Sequence, residues 1–165
     1  MLADNPRLKK NPNATVTSVA ELVSLDSSVT EIIVDNGVGE SDFTELDFSR
    51  FSKLKSLEIG NNSFSLVDTL SITGLSELES VVIGRRSFTK KRGTGDSNPN
   101  RHFYLKDCPS LKKLKMGCHS FSDYTVIEIE NVDALETITM GLVKDWSWNF
   151  YSASLELKSI LTHIA

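Results

Sequence analysis

Cys108, Cys118, His102 and His119 are the side chains best suited to hold a metal ion, and they lie within 18 residues of one another. Their spacing matches none of the standard zinc patterns. Cys108 falls in an apolar series described below, whereas Cys118 follows a glycine and is predicted to face solvent at a turn. We therefore expect no metal site and no disulfide, an arrangement that favours a reducing compartment.

Motifs for catalysis are equally scarce. The sequence contains no Gly-x-Ser-x-Gly nucleophile turn, no phosphate-binding loop and no pair of acids in an evident cleft. The chain is therefore predicted to be no enzyme and to need no cofactor. An enzyme is the third alternative, and a metal-dependent activity would revive it.

A basic cluster stands out in a chain whose net charge is −4. Its members are Arg85, Arg86, Lys90, Lys91, Arg92 and Arg101. Such a cluster can steer an acidic partner or phosphate groups, and the alternative is a solvated loop without a partner. Gly93, Gly95 and Pro99 predict an insertion loop over residues 89–101. The acidic overall balance argues against nucleic acid as a ligand.

Apolar residues recur with one spacing along most of the chain, at offsets 0, 2, 5 and 8 of each copy. The copies are Leu46–Leu54, Leu70–Leu78, Phe103–Leu111 and Ile127–Leu135, followed by a partial copy that begins at Leu155. Self-similarity at a fixed period is typical of stacked-repeat proteins, in which each unit needs its neighbours to bury its apolar side chains.

A second pattern overlaps the end of each copy and reads Leu-x-x-Leu-x-Ile-Gly-x-x-Ser-Phe in Leu54–Phe64. It recurs in Leu78–Phe88 and Leu111–Phe121, whereas Leu135–Gly141 lacks the Ser-Phe ending. Its alternation predicts a strand before each glycine, and the apolar-x-apolar pairs predict a second strand on the opposite side. The repeat is 24 residues long, and an excess of 9 before Leu111 is predicted to lie in the insertion loop without breaking the register.

These residues resemble the leucine-rich-repeat family, with Asn62 at the family's asparagine position. The Gly-x-x-Ser-Phe ending is most similar to the BspA-like subtype of surface proteins. The resemblance covers about residues 27–164 and implies a mainly β fold, an α/β-type leucine-rich-repeat solenoid. That solenoid would be a right-handed coil of about five repeats, with parallel strand ladders on two sides. It also implies a scaffold for protein binding or adhesion, usually through the strand face, with no catalytic residues.

Two segments are predicted. Residues 1–26 form an N-terminal tail and cap, and residues 27–165 form the solenoid. Residues 1–15 are polar and predicted to be mobile. Thr17 or Ser18 would cap a short helix that runs to about Leu25 and presents Val19, Leu22 and Val23 as its apolar face.

Polar residues between the apolar ones are predicted to stack into rows, one residue per repeat. These rows serve either as ladders of charge pairs that set the register or as a flat platform for a partner. The predicted partner-binding residues are Glu58, Val82, Arg85, Arg86, Lys113 and Lys115, with Lys90, Lys91 and Arg92 from the insertion loop.

The aromatic group Trp146, Trp148, Phe150 and Tyr151 follows the copy that lost its phenylalanine. One of these rings is predicted to replace the missing core ring and others to cap the open end. The alternative is an exposed tryptophan that anchors an interface.

The predicted partner is a protein ligand of unknown identity, and the second hypothesis is a structural or cell-surface adhesion segment of a longer repeat protein. No apolar run approaches the length of a membrane span. Residues after Met1 contain no apolar stretch, so no signal peptide is expected, and the compartment is cytoplasmic, or extracellular if the chain is a fragment. The apolar final residues predict either a longer chain or end-to-end self-association through the C-terminal coil.

Overall fold

The structure is a computed structural model that describes residues 12–39, 43–90, 99–141 and 147–159. Short strands dominate it because most repeats alternate apolar with polar residues, which suits a strand buried on one side. The elements, in chain order, are β1 (Asn13–Val16), α1 (Val19–Ser24), β2 (Glu31–Val34), β3 (Glu45–Asp47), β4 (Ser56–Ile59), β5 (Thr69–Thr73), β6 (Ser80–Ile83), β7 (His102–Lys106), β8 (Lys113–Met116), β9 (Val126–Glu130), β10 (Thr137–Met140) and β11 (Ser154–Lys158).

The strands form two parallel sheets. Sheet A has six strands in the order β1-β2-β4-β6-β8-β10, and sheet B has five in the order β11-β9-β7-β5-β3. From β2 onward, consecutive strands belong alternately to the two sheets. The predicted mainly β fold, with parallel ladders on two sides, is confirmed at this level.

Equivalent residues of successive repeats pair directly. Leu57 pairs with Val81, Val81 with Leu114, and Leu114 with Ile138. The longer interval between β6 and β8 does not shift this register, and β5 pairs with β7 across it as well. The pairing therefore continues across this interval, and residues 91–98 of the predicted insertion loop lie outside the described residues.

The apolar core lies between the two sheets. The apolar positions of the first three copies are buried, and so are Ile127 and Ile129 of the fourth. Val132 and Leu135 of the fourth copy are only half-buried, because β10 and β11 are the outermost strands at this end of the sheets.

The Gly-x-x-Ser-Phe turns stack with their backbones in close contact. A Cβ on Gly84 would lie 2.5 Å from the carbonyl carbon of Gly60, and one on Gly117 would lie 2.5 Å from the nitrogen of Arg85. Contacts this short exclude every side chain, so glycine is required where the repeats approach one another.

A column of buried serines fastens the same turns. Ser63, Ser87 and Ser120 are fully buried. The hydroxyl of Ser87 donates to the carbonyl of Gly60 (2.7 Å), and that of Ser120 donates to the carbonyl of Gly84 (2.6 Å). The Ser63 hydroxyl donates to the carbonyl of Asp35 (3.0 Å), so each serine binds a backbone carbonyl of the preceding turn.

The phenylalanine after each serine lies in the left-handed region, at φ 55° for Phe64 and Phe88 and 59° for Phe121. This backbone is costly for a bulky residue, and it turns each ring into the core. Ring centroids of Phe88 and Phe121 are 4.9 Å apart. Phe150 continues the column at φ 56°, 5.7 Å from Phe121. The prediction that an aromatic residue replaces the missing phenylalanine is confirmed, with Phe150 in that place.

The N-terminal segment differs from the sequence expectation. Asn13–Val16, predicted to be part of a mobile tail, is a strand that pairs with β2. Ser18 caps α1 by accepting a hydrogen bond from the Glu21 N–H, as predicted, but Val23 is 59% exposed and does not belong to the apolar face.

Asn62 is also not where the family resemblance would put a buried asparagine. It is exposed, with φ 56°, and occupies a turn. The buried polar column of this chain is formed by serine, one residue later in each turn.

Replacing Ser87 by alanine should lower the free energy of unfolding by about 1–3 kcal/mol, because the Gly60 carbonyl and the Ser63 N–H both lose a buried partner. Urea unfolding measures the change. Ser80→Ala, on the outer face of β6, is the matched control and should stay within about 0.5 kcal/mol. Equal effects of the two substitutions would contradict a role for the serine column.

Replacing Gly84 by alanine should lower the free energy of unfolding by about 1–3 kcal/mol, as overpacking does. The φ of Gly84 is not left-handed, so alanine meets no backbone strain there and would otherwise stabilise the chain by about 0.4–1 kcal/mol. A gain in stability in the same urea titration would show that the repeats do not approach as closely as described.

Candidate partner-binding face

The outer face of sheet A carries two rows of side chains, in the register that the sequence predicts. One row pairs Ile33 with Glu58, then Val82, Lys115 and Thr139. The second pairs Glu31 with Ser56, then Ser80, Lys113 and Thr137. Neighbours in a row belong to strands about 4.8 Å apart, so each row is a continuous strip across the sheet.

A groove of about 470 Å³ follows the end of this face, where the strands of sheet A enter the glycine turns. We call it the glycine groove. Its floor includes Gly60, Gly84 and Gly117, and its walls include Glu58, Val82, Lys115 and Arg85. The groove exists because the stacked glycines carry no side chains, while the residues on either side do. Four of the predicted partner-binding residues meet here, and Lys113 lies in the next row.

The cations of this face are not neutralised by neighbouring acids. Within the described residues, Arg85, Lys113 and Lys115 take part in no ion pair, whereas Lys53 pairs with Glu77 at 2.7 Å. Glu58 is likewise without an ion pair in this part of the chain. The groove therefore offers two cations, one anion and the apolar Val82 to a partner.

The basic cluster of the sequence is divided by the structure. Arg85 lines the glycine groove, but Arg86 lines a separate recess of about 270 Å³ together with Thr89 and Lys90. Lys90 also pairs with Asp68, with Nζ 2.9 Å from Oδ1. Lys91 and Arg92 lie outside the described residues.

Arg101 contradicts its predicted role as an exposed charge of the insertion loop. Its side chain is fully buried, with Nη1 2.5 Å from Asp123 Oδ2. Nη2 donates to the carbonyls of Ser65 (2.8 Å) and Val67 (2.6 Å). The guanidinium is therefore an internal anchor, and no partner can reach it.

Two carboxylates hold both ends of the insertion loop. Asp123 accepts from the Lys90 backbone N–H (3.1 Å) as well as from Arg101. Asp68 lies 2.9 Å from Lys90 Nζ and 3.4 Å from Arg101 Nε. The loop thus begins and ends at one fixed point beside the recess, which we call the loop clamp (Asp68, Lys90, Arg101 and Asp123).

Tyr124 supports the loop clamp from inside. The Arg101 guanidinium lies 4.6 Å from the centre of its ring, and its hydroxyl donates to the Val67 carbonyl at 2.7 Å. Burial raises the pKa of Tyr124 well above its ordinary value, so the phenol stays neutral. The sequence contains no signal for this cluster beyond an arginine next to a strand.

The outer face of sheet B is self-neutralised. The predicted row of Lys106, Glu130 and Lys158 is in register, and Lys106 also binds Glu128. The hydrogen bond from Lys106 lowers the pKa of Glu128, and the same bond raises that of Lys106. These charges satisfy one another, as expected of a ladder that sets the register. This face also carries an aromatic residue, Tyr104, which is not among the predicted rows. Its hydroxyl lies 2.8 Å from His102 Nδ1.

The two cysteines are both buried and free. Burial raises the pKa of the Cys108 thiol to about 11, as expected for a core residue. The prediction that Cys118 faces solvent is wrong: it is 2% exposed. Its turn is bonded on one side to Arg86, whose N–H donates to the Cys118 carbonyl, and on the other to the Ser147 carbonyl through the His119 N–H.

The described ranges hold no group of three or more His, Cys, Asp or Glu side chains placed to bind one metal ion. No helix within them has the length and apolar character needed to cross a membrane.

Comparison of the chain with protein-family models, with curated proteins and with solved structures finds no match. We therefore infer a function from the geometry of the outer face of sheet A.

Replacing Asp123 by asparagine should destabilise the protein by about 3 kcal/mol, because it leaves the buried Arg101 without its nearest counter-charge. Thermal and urea unfolding measure this loss. Asp35→Asn, at an exposed position, is the control and should change stability by less than about 0.5 kcal/mol. If both variants unfold alike, the loop clamp does not stabilise the fold.

Proposed function

We propose that this chain is a non-enzymatic protein-binding module of the leucine-rich-repeat type, a right-handed solenoid of about five coils. In this proposal the outer face of sheet A receives the partner, and the insertion loop contributes positive charge through Lys90, Lys91 and Arg92. The observation that carries the proposal is the glycine groove, where Glu58, Val82, Arg85 and Lys115 come together from successive repeats.

The repeated register supports the solenoid reading. Pairing in both sheets keeps the same residue of each repeat in one column, and the strands alternate between the sheets along the chain. A backbone held by two ladders loses little conformational freedom on binding, so less of the interaction energy is spent on ordering the site.

The charge distribution supports a protein partner with an acidic surface. Arg85, Lys113 and Lys115 have no ion pair within the described residues, so they are available to a partner's carboxylates. Charge complementarity of this kind mainly raises the association rate and the specificity. Val82 supplies the apolar contact between the charges.

A second candidate function is a structural or adhesion segment of a longer repeat protein. It is favoured by the apolar residues of β10 and β11, which another repeat would cover. The two functions differ in the surface used, because adhesion through added repeats would not require the glycine groove.

Reversing Lys113 and Lys115 to glutamate should weaken partner binding at least about tenfold, which corresponds to about 1.4 kcal/mol. The partner is first captured from an extract of the source cells with the wild-type chain, and then purified. Its Kd is measured by titration calorimetry at low and high salt. The effect should be larger at low salt, because exposed charges are screened.

Lys53→Glu with Lys55→Glu is the matched control. It makes the same change in net charge, but both lysines lie within 4.0 Å of Glu77 and neither lines the glycine groove. The control should retain the wild-type Kd. If both double variants lose the same affinity, the effect comes from net charge alone. If neither loses affinity, this face is not the binding site.

A further inference from the structure

Large apolar side chains are exposed mainly at one end of the two sheets. Among the described residues, the large apolar side chains exposed on β10 and β11 are Ile138 (37%), Met140 (46%), Leu155 (46%) and Leu157 (59%). Their partners in the preceding strands are buried: Leu114, Met116, Ile127 and Ile129. These four residues are therefore core positions that no further strand covers within the described part of the chain.

The end of the sheets that carries these four residues is concave and largely apolar. A cavity of about 400 Å³ opens beside β11, lined by Ile129, Val132, Leu135 and Leu157 among others. Both β10 and β11 are edge strands, so each presents a row of backbone N–H and C=O groups to a further strand. The edge thus offers hydrogen bonds and apolar surface together.

The opposite end of the sheets, whose edge strands are β1 and β3, is partly covered. Helix α1 lies there, with Val19 and Leu22 buried. Arg50 fastens its C-terminus by donating to the carbonyls of Leu22 (2.8 Å) and Val23 (2.9 Å). Among the described residues, Val23 is the large apolar side chain exposed at that end, so head-to-tail stacking would give the four apolar residues of β10 and β11 little apolar surface to pack on. A contact between two C-terminal edges, related by a two-fold axis, is left.

The sequence of β11 suits such a contact. Glu156 and Lys158 flank Leu157 and bind each other at 2.9 Å on the exposed face. In an antiparallel pair of two β11 strands centred on Leu157, Glu156 would face the partner's Lys158, and Lys158 the partner's Glu156. The two leucines would meet on the core side. The strand is therefore complementary in charge to a reversed copy of itself.

We propose that the edge formed by β10 and β11 binds the same edge of a second copy of this chain. The pairing is antiparallel, it extends both sheets into the partner, and it buries Ile138, Met140, Leu155 and Leu157. This surface is distinct from the glycine groove, so the inference does not depend on the proposed partner-binding function.

The test is the molar mass in solution of the full 165-residue chain, of 18.3 kDa. Light scattering coupled to gel filtration, over a range of concentrations, should give twice that mass at high concentration and a dimer-to-monomer transition on dilution. Leu157→Glu should give the monomer mass throughout. Val23→Glu is the matched control, since Val23 is also 59% exposed but lies at the opposite end, and it should remain a dimer.

A charge swap tests the pairing with variants at exposed positions, which should fold normally. Glu156→Lys should raise the dissociation constant of the dimer at least about tenfold, and the double variant Glu156→Lys with Lys158→Glu should restore it. Circular dichroism checks that each variant is folded.

Three results would overturn the inference. One is a wild-type chain that has the monomer mass at every concentration, in which case other residues of the same chain cover the edge. Another is a Leu157→Glu protein that remains dimeric. The third is a double charge swap that dimerises no better than Glu156→Lys alone, which would rule out the antiparallel pairing.

Discussion

Close backbone stacking at the glycine turns is the constraint on which the rest of this structure depends. The turns of neighbouring repeats approach so closely that a Cβ on Gly84 would lie 2.5 Å from Gly60. At that distance a serine hydroxyl reaches the carbonyl of the preceding repeat, and the left-handed phenylalanine directs its ring onto the ring before it. The strands of sheet A pair in register because these turns fix the offset between repeats, and the core columns follow from that register.

The same constraint shapes the candidate site. Because glycine is required where the turns meet, the end of the outer face of sheet A has a floor without side chains. The walls of the groove are formed by Val82, Lys115 and Arg85, which lie beside the glycine column. The site is thus a by-product of packing that different side chains can use. The chemistry on the walls is set by Val82, Lys115 and Arg85, none of which belongs to the buried core.

Much of this could be predicted from the sequence, because each position of the repeat occurs several times along the chain and its copies can be compared. The columns through Leu57 and the insertion between β6 and β8 follow from spacing alone. Arg101 and Cys118 were mispredicted for one reason: both depend on what lies beside them in space rather than along the chain. A buried arginine is stable only because Asp123 and two carbonyls converge on it, and no periodicity reports such convergence. Strand β1 was missed because its polar–apolar alternation spans only the four residues Asn13–Val16, and the strand forms by pairing with β2.

A strand at the end of a sheet differs from an inner strand because it has a neighbouring strand on one side only. Each inner strand is paired with a strand on both sides, and these two strands bury its apolar residues. An end strand has one neighbour, and it must be covered or must find a partner. At one end, a helix whose carbonyls are bound by Arg50 lies against the sheets. At the other, β11 carries core-type leucines, with opposite charges on either side of Leu157. In the dimer proposed above, those charges would fix the direction and register of the strand that is added there.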